Sequence, residues 1–147
     1  MQNNDDIARI ATVKWEGDVA HGHGDISTGS GKISATYSFG TRFSGDPGTN
    51  PEELLGAAHA ACFTMALSAV LTRDGHPPKT IETTATVHIA RAGDGFEIPR
   101  IQLATTAVAA GIDEARFQEL ATQAKESCPL SKALRAVPIS LSAKLEA

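Results

Sequence analysis

Between Glu53 and Arg73 the chain carries no charged residue, and Leu54, Leu55, Ala58, Phe63, Met65 and Leu67 fall on all sides of a 3.6-residue repeat. Asn50 suits an N-cap, Pro51 the first helical position, and Glu53 the N3 position of a capping arrangement, so the pattern predicts a helix over Asn50–Arg73. A helix apolar on every face is a buried helix, and this one is expected to be the central core element. Length alone would let it cross a membrane. Its His59, Thr64, Ser68 and Thr72 interruptions and its small Ala-rich character argue against a span.

Elsewhere the period is two. Ile7–Trp15 alternates weakly and predicts a first strand, while Lys32–Phe39 predicts a second. Ala20–Gly31, with four glycines and two histidines, reads as a turn or hairpin connection, and Gly40–Thr49 as a breaker-rich loop. Ile81–Arg91 places Ile81, Thr83, Ala85, Val87 and Ile89 on one face, and Phe96–Val108 answers it across a turn at 92–95, which predicts a hairpin. Asp113 caps a second, amphipathic helix with Phe117, Leu120, Ala121 and Ala124 inward, followed by a short turn of helix over Leu130–Arg135. Ile139, Leu141, Ala143 and Leu145 make a final strand. Residues 1–6 are polar and expected to fray. The order predicts a single α+β domain over 1–147 with mostly antiparallel sheet. So few elements cannot wrap a central helix of this length on all sides, and a homodimer built around paired helices is the expected solution.

Composition narrows the function. A net charge of −4 with no basic block argues against nucleic acid as a partner, and the amino terminus lacks the basic and apolar regions of a secretory signal. Two cysteines in such a chain point to a reducing, cytoplasmic compartment.

Those cysteines are the first candidates for chemistry. Cys62 is either a packing residue or a reactive thiol, and in the second case its thiolate needs a cation. It lies about three turns into the helix, beyond the reach of the helix dipole. Arg42, between Thr41 and Phe43 in the glycine-rich loop, is the cation that stands apart from strand faces and helix ends. It is either that partner or a solvated loop charge. Glu52 has no capping task and could orient Arg42 in a charge-assisted pair. Glu52 and Cys62 lie roughly 15 Å apart along one straight helix, so a shared site needs a break near Gly56 or a Glu52 from the second chain. Cys128 is 66 positions after Cys62, too far for a CxxC motif, and is either a resolving cysteine or a helix-end core residue. His59, one turn before Cys62, is a core histidine or half of a Cys–His dyad. His21 and His23 have no acidic or thiol cluster beside them in sequence and read as surface residues.

NPEELLGAAHAACF, the preceding TRFSGDPGT and the later SCPLSKAL resemble the OsmC/Ohr family of organic-hydroperoxide peroxidases, and the resemblance, closest to the OsmC branch, spans nearly the whole chain. It implies antiparallel sheets around a long buried central helix in an intertwined homodimer, and a thiol-dependent peroxidase with no metal and no haem. By motif, Cys62 corresponds to the peroxidatic cysteine and Cys128 to the resolving cysteine. Arg42 corresponds to the arginine that activates the thiolate, and Glu52 to the glutamate that holds it. The implied substrate is an organic hydroperoxide. The implied reductant is an external dithiol such as a lipoylated protein. Phe39, Phe43 and Phe63 would give the alkyl group an apolar wall. Two other readings compete: a non-enzymatic dimeric module binding an apolar ligand, and a Cys–His hydrolase using His59 and Cys62.

Overall fold

The computed structural model describes residues 6–146, so most of the amino-terminal segment expected to fray lies outside the described residues. The chain divides into two compact units, 1–51 and 52–147.

The first unit is a three-stranded antiparallel sheet in the order β1 (Ala11–Glu16), β2 (His23–Thr28), β3 (Ser34–Tyr37), followed by the short helix α1 (Phe39–Phe43). β2 lies inside the segment expected to be a connection. Its alternation is real, with Gly24 and Ile26 inward and Asp25 and Ser27 outward, but glycine supplies half of the inward face and hides the pattern. The glycine is required there. Gly24 sits opposite both Trp15 and Tyr37, and a Cβ would fall 2.3 Å from the Tyr37 ring. Those two rings meet edge to face, 5.5 Å between centroids. α1 occupies part of the expected loop, and Phe39 belongs to it rather than to the preceding strand. Ser38 caps it, accepting from the Thr41 N–H while the Thr41 hydroxyl accepts from the Ser38 N–H, a reciprocal capping box. β1 is exposed along its length, and Ile10, Val13, Val19, Ile33 and Phe39 all present apolar surface to solvent.

In the second unit α2 (Pro51–Arg73) packs on a sheet ordered β4 (Thr80–Val87), β7 (Ile101–Val108), β8 (Ile139–Glu146). β4 and β7 pair antiparallel as expected, and the turn between them forms its own hairpin from β5 (Ala90–Ala92) and β6 (Gly95–Glu97). β7 and β8 are parallel neighbours, joined by a crossover through α3 (Glu114–Ser127) and α4 (Pro129–Ala133). The helix at 130–135 therefore begins one residue early, at Pro129. Asp113 caps α3 by accepting from the Arg116 N–H, and Phe117, Leu120, Ala121 and Ala124 are its buried face. They join Phe63, Leu67, Val70, Leu71, Ile101 and Leu103 in one core.

α2 ends where predicted, and the reason is visible. Gly75 takes φ +86°, its N–H reaches the Thr72 carbonyl, and the His76 N–H reaches Leu71, a Schellman closure. Just beyond, Arg116 on α3 holds Asp74 through Nη2 at 2.7 Å and Nε at 3.1 Å. Between helix and sheet runs a row of hydroxyls. Thr64 Oγ1 donates to Thr83 Oγ1 at 2.8 Å, Thr83 and Thr105 meet at 2.9 Å, and Thr105 Oγ1 donates to the Glu82 carbonyl at 3.2 Å. Only one face of α2 is buried in the chain: Glu52, Gly56, His59, Phe63, Leu67, Val70 and Leu71 recur at three- and four-residue spacing. Ala57, Ala58 and Ala61 are exposed on the other side, and Met65 is 76% exposed. A helix buried all round is thus not what one chain contains. Its second apolar face has no cover within the unit.

Candidate active site

Pro129 shapes the site. It has no N–H to extend α3, yet its fixed φ suits the first position of α4, so Cys128 becomes the shared residue between the two helices. That junction drives Cys128 into the core, where it is fully buried, and brings its thiol against Cys62 on α2. Cys128 Sγ donates to Cys62 Sγ at 3.0 Å, and both are free thiols. Cys62 is half-buried. Two residues 66 positions apart, which spacing alone leaves unrelated, are therefore in direct contact.

Burial pushes the Cys62 thiol up, and its hydrogen bond with Cys128 adds to the effect, while the Leu130 N–H donates to the same sulfur and pulls the other way. The balance is upward, toward the protonated form. A thiolate at neutral pH therefore needs positive charge from outside this immediate shell.

His59 does not form a dyad with Cys62. Its Nε2 lies 2.9 Å from the hydroxyl of Ser131, three residues after Cys128, and its Nδ1 is buried with no hydrogen-bond partner. Burial also lowers its pKa, so it is the neutral imidazole that faces Ser131. Neither Ser131 nor the Leu130 N–H was legible as a site group in the sequence. The available signal was that His59 and Ser131 each stand three residues from a cysteine.

Arg42 lies in α1, where its guanidinium carbon sits 5.2 Å from the centroid of the Phe43 ring. With Trp15, Val19, Tyr37, Ser38, Phe39 and Phe43 it lines a cleft of about 210 Å³ in the first unit. Glu52 is the buried glutamate of the first turn of α2, whereas Glu53 is exposed. α2 runs unbroken through Gly56, so no kink brings Glu52 toward Cys62 along the same helix. Phe63 is fully buried in the core and offers no wall to a substrate, contrary to the expectation for it. His21 faces Asp18, and His23 lies 3.5 Å from Glu16. Among the described residues no group of three or more His, Cys, Asp or Glu side chains could hold a metal ion.

The chain thus has an α+β fold with a long helix against a mixed sheet, and two free thiols in contact at a helix junction. Residues 43–142 match the family model for OsmC-like proteins. The chain is 46% identical to peroxiredoxin OsmC of Escherichia coli over 131 residues, 88% of this chain and 92% of that one. It is 37% identical to an organic hydroperoxide resistance protein of Xanthomonas axonopodis over 93 residues, covering 62% and 63% of the two chains. In structure it is similar to an organic hydroperoxide resistance protein OsmC from Legionella pneumophila, with TM-score 0.72 and 26% identity over 94% of this chain and 97% of that one. The chain belongs to the OsmC/Ohr family, and its role is of the peroxidase type.

Proposed function

We propose that this chain reduces organic hydroperoxides through a Cys62 sulfenic acid and a Cys62–Cys128 disulfide. The observation that carries the reading is the thiol–thiol contact at 3.0 Å, in which the second sulfur already stands where it must attack. The Cys62 thiolate takes the distal oxygen of ROOH. The O–O bond breaks, RO⁻ leaves and takes up a proton, and the Cys62 sulfur is oxidised by two electrons. The Cys128 thiol then attacks that sulfur, and the S–S bond forms as the S–O bond breaks. The Cys128 proton leaves with the hydroxyl as water. An external dithiol, of which a lipoylated protein is one example, returns both thiols by exchange.

Arg42 supplies the positive charge that an upward-shifted Cys62 requires, and Glu52 orients Arg42. Motif correspondence supports both assignments. Phe39 and Phe43 receive the alkyl group. The chain works as one OsmC-like domain in the cytoplasm, and as a homodimer in which a second copy covers the free face of α2. The exposed Ala57, Ala58, Ala61 and Met65 support that arrangement, and sedimentation equilibrium is expected to give twice the 15.3 kDa chain mass. A single-chain mass would remove the dimer.

The test is an intact mass spectrum before and after one equivalent of cumene hydroperoxide, with free thiols blocked. The expected result is loss of two hydrogens, mapped to Cys62 and Cys128 in one chain. Two unreacted thiols would return the cysteines to packing and favour a module that binds an apolar ligand.

A further inference from the structure

The thiol contact is one of two side-chain pairs that tie α2 to the start of α4, beside the Leu130 N–H that donates to the Cys62 sulfur. Cys62 meets Cys128, and one turn earlier on α2 His59 meets Ser131, one turn later on the facing segment. Pairing 62 with 128 and 59 with 131 means the two segments run antiparallel here, with attachment points about one helical turn, roughly 4.5 Å, apart. Two points fix an orientation that one leaves free to pivot. They are unequal in kind. An S–H donor is weak, whereas imidazole and hydroxyl make an ordinary directional hydrogen bond, here buried at both ends.

We propose that the His59–Ser131 hydrogen bond is a positioning device for the resolving step, holding the start of α4 against α2 while Cys128 attacks the oxidised Cys62. The inference rests on the two-cysteine reading above. Its logic lies in what oxidation does to each contact. When Cys62 becomes a sulfenic acid, an oxygen occupies its sulfur and the S–H···S contact made by the Cys128 thiol is disrupted. The His59–Ser131 bond involves neither sulfur and survives. In the one intermediate that depends on Cys128 being near, that pair is the directional side-chain link that remains between the two segments. The remaining approach, from 3.0 Å to the roughly 2.05 Å of a disulfide, is short enough for side-chain rotation with the backbone held still. The unpartnered Nδ1 fits this role. An apolar side chain would fill the same place without leaving a ring nitrogen bare, so the use of histidine is accounted for by the single bond that Nε2 makes. Neither residue touches the reacting oxygen or sulfur. They position and do not catalyse.

The experiment separates the two half-steps in single turnover. Ser131→Ala and His59→Leu are mixed with cumene hydroperoxide, sulfenic acid is trapped with dimedone, and disulfide is counted by mass after thiol blocking. The first step is expected to stay within about twofold of the unmodified protein. Disulfide formation is expected to slow about tenfold or more, the scale of losing a fixed geometry by a fraction of an ångström. Excess peroxide should then carry more Cys62 on to sulfinic acid, and Ser131→Thr, which keeps the hydroxyl, should restore the rate. Disulfide formation at the unmodified rate in Ser131→Ala overturns the proposal. So does an equal slowing of both steps with a lowered melting temperature, which reduces the pair to packing. An unmodified protein that forms sulfenic acid but no disulfide removes the two-cysteine reading itself, and this proposal with it.

Discussion

Replacing Cys62 with Ser drops hydroperoxide turnover to background, a loss of about a thousandfold or more, because a hydroxyl at neutral pH supplies almost no anionic nucleophile. Cys128→Ser behaves differently, and the difference identifies the roles. The thiol at position 62 still attacks the peroxide once, so a stoichiometric burst of alcohol persists. The sulfenic acid then has no resolving thiol in its own chain and must be reduced directly by the external dithiol, so no Cys62–Cys128 disulfide forms and dithiol-supported turnover falls. A coupled peroxidase assay beside dimedone labelling reads both outcomes. Retention of a tenth of the original turnover in Cys62→Ser would sink the assignment of the nucleophile. Full steady-state activity in Cys128→Ser would remove Cys128 from the catalytic cycle.

Phe117→Ala is expected to be the most damaging single change to the fold outside the site. The ring is fully buried among α2, α3 and the sheet of the second unit, and truncating a phenylalanine in such a place costs about 3–5 kcal/mol. For a chain of this size that is a fall in melting temperature of roughly 10 °C or more, measured at fixed protein concentration so that any association does not intrude. Gln118→Ala, one residue away on the exposed side of α3, is the companion: it loses a hydrogen bond to the Ala143 carbonyl at 2.8 Å and little apolar burial. A loss under about 1 kcal/mol at Phe117 would mean that the core described for the second unit does not carry stability.

What the sequence made legible follows the strength of its periodicity. α2, α3, β4, β7 and β8 all bury a recurring apolar face; α2, α3 and β8 were readable to within a residue or two, while the β4–β7 pair was read four to five residues too long, into the separate β5–β6 hairpin. β2 was not, because an inward Gly24 contributes no hydrophobic signal although its lack of a side chain is what lets Tyr37 pack there. α1 is five residues long and holds Gly40, too short to show a period, and its trace was the Ser38 and Thr41 spacing of a capping box. The same limit governs the site. Cys62 and Cys128 stood out by motif, but their contact depends on the chain reversal between β7 and β8. The partners His59 and Ser131 are 72 residues apart, and their one local sign is that each stands three residues from a cysteine.

The row of threonine hydroxyls in the second unit has a direction. Thr64 gives its hydrogen to Thr83, Thr105 gives its own to a backbone carbonyl, and with both ends committed the middle link is left with one sense: Thr83 donates to Thr105. Every hydroxyl hydrogen then points onward along the row, from α2 to β4, across to β7 and back to a β4 carbonyl, and each bond polarises the next. The row is therefore a valve for orientation as well as a brace. Read from its carbonyl end it admits only one arrangement of three hydrogens, so the helix rests on the sheet in a single polar state rather than in several of equal energy.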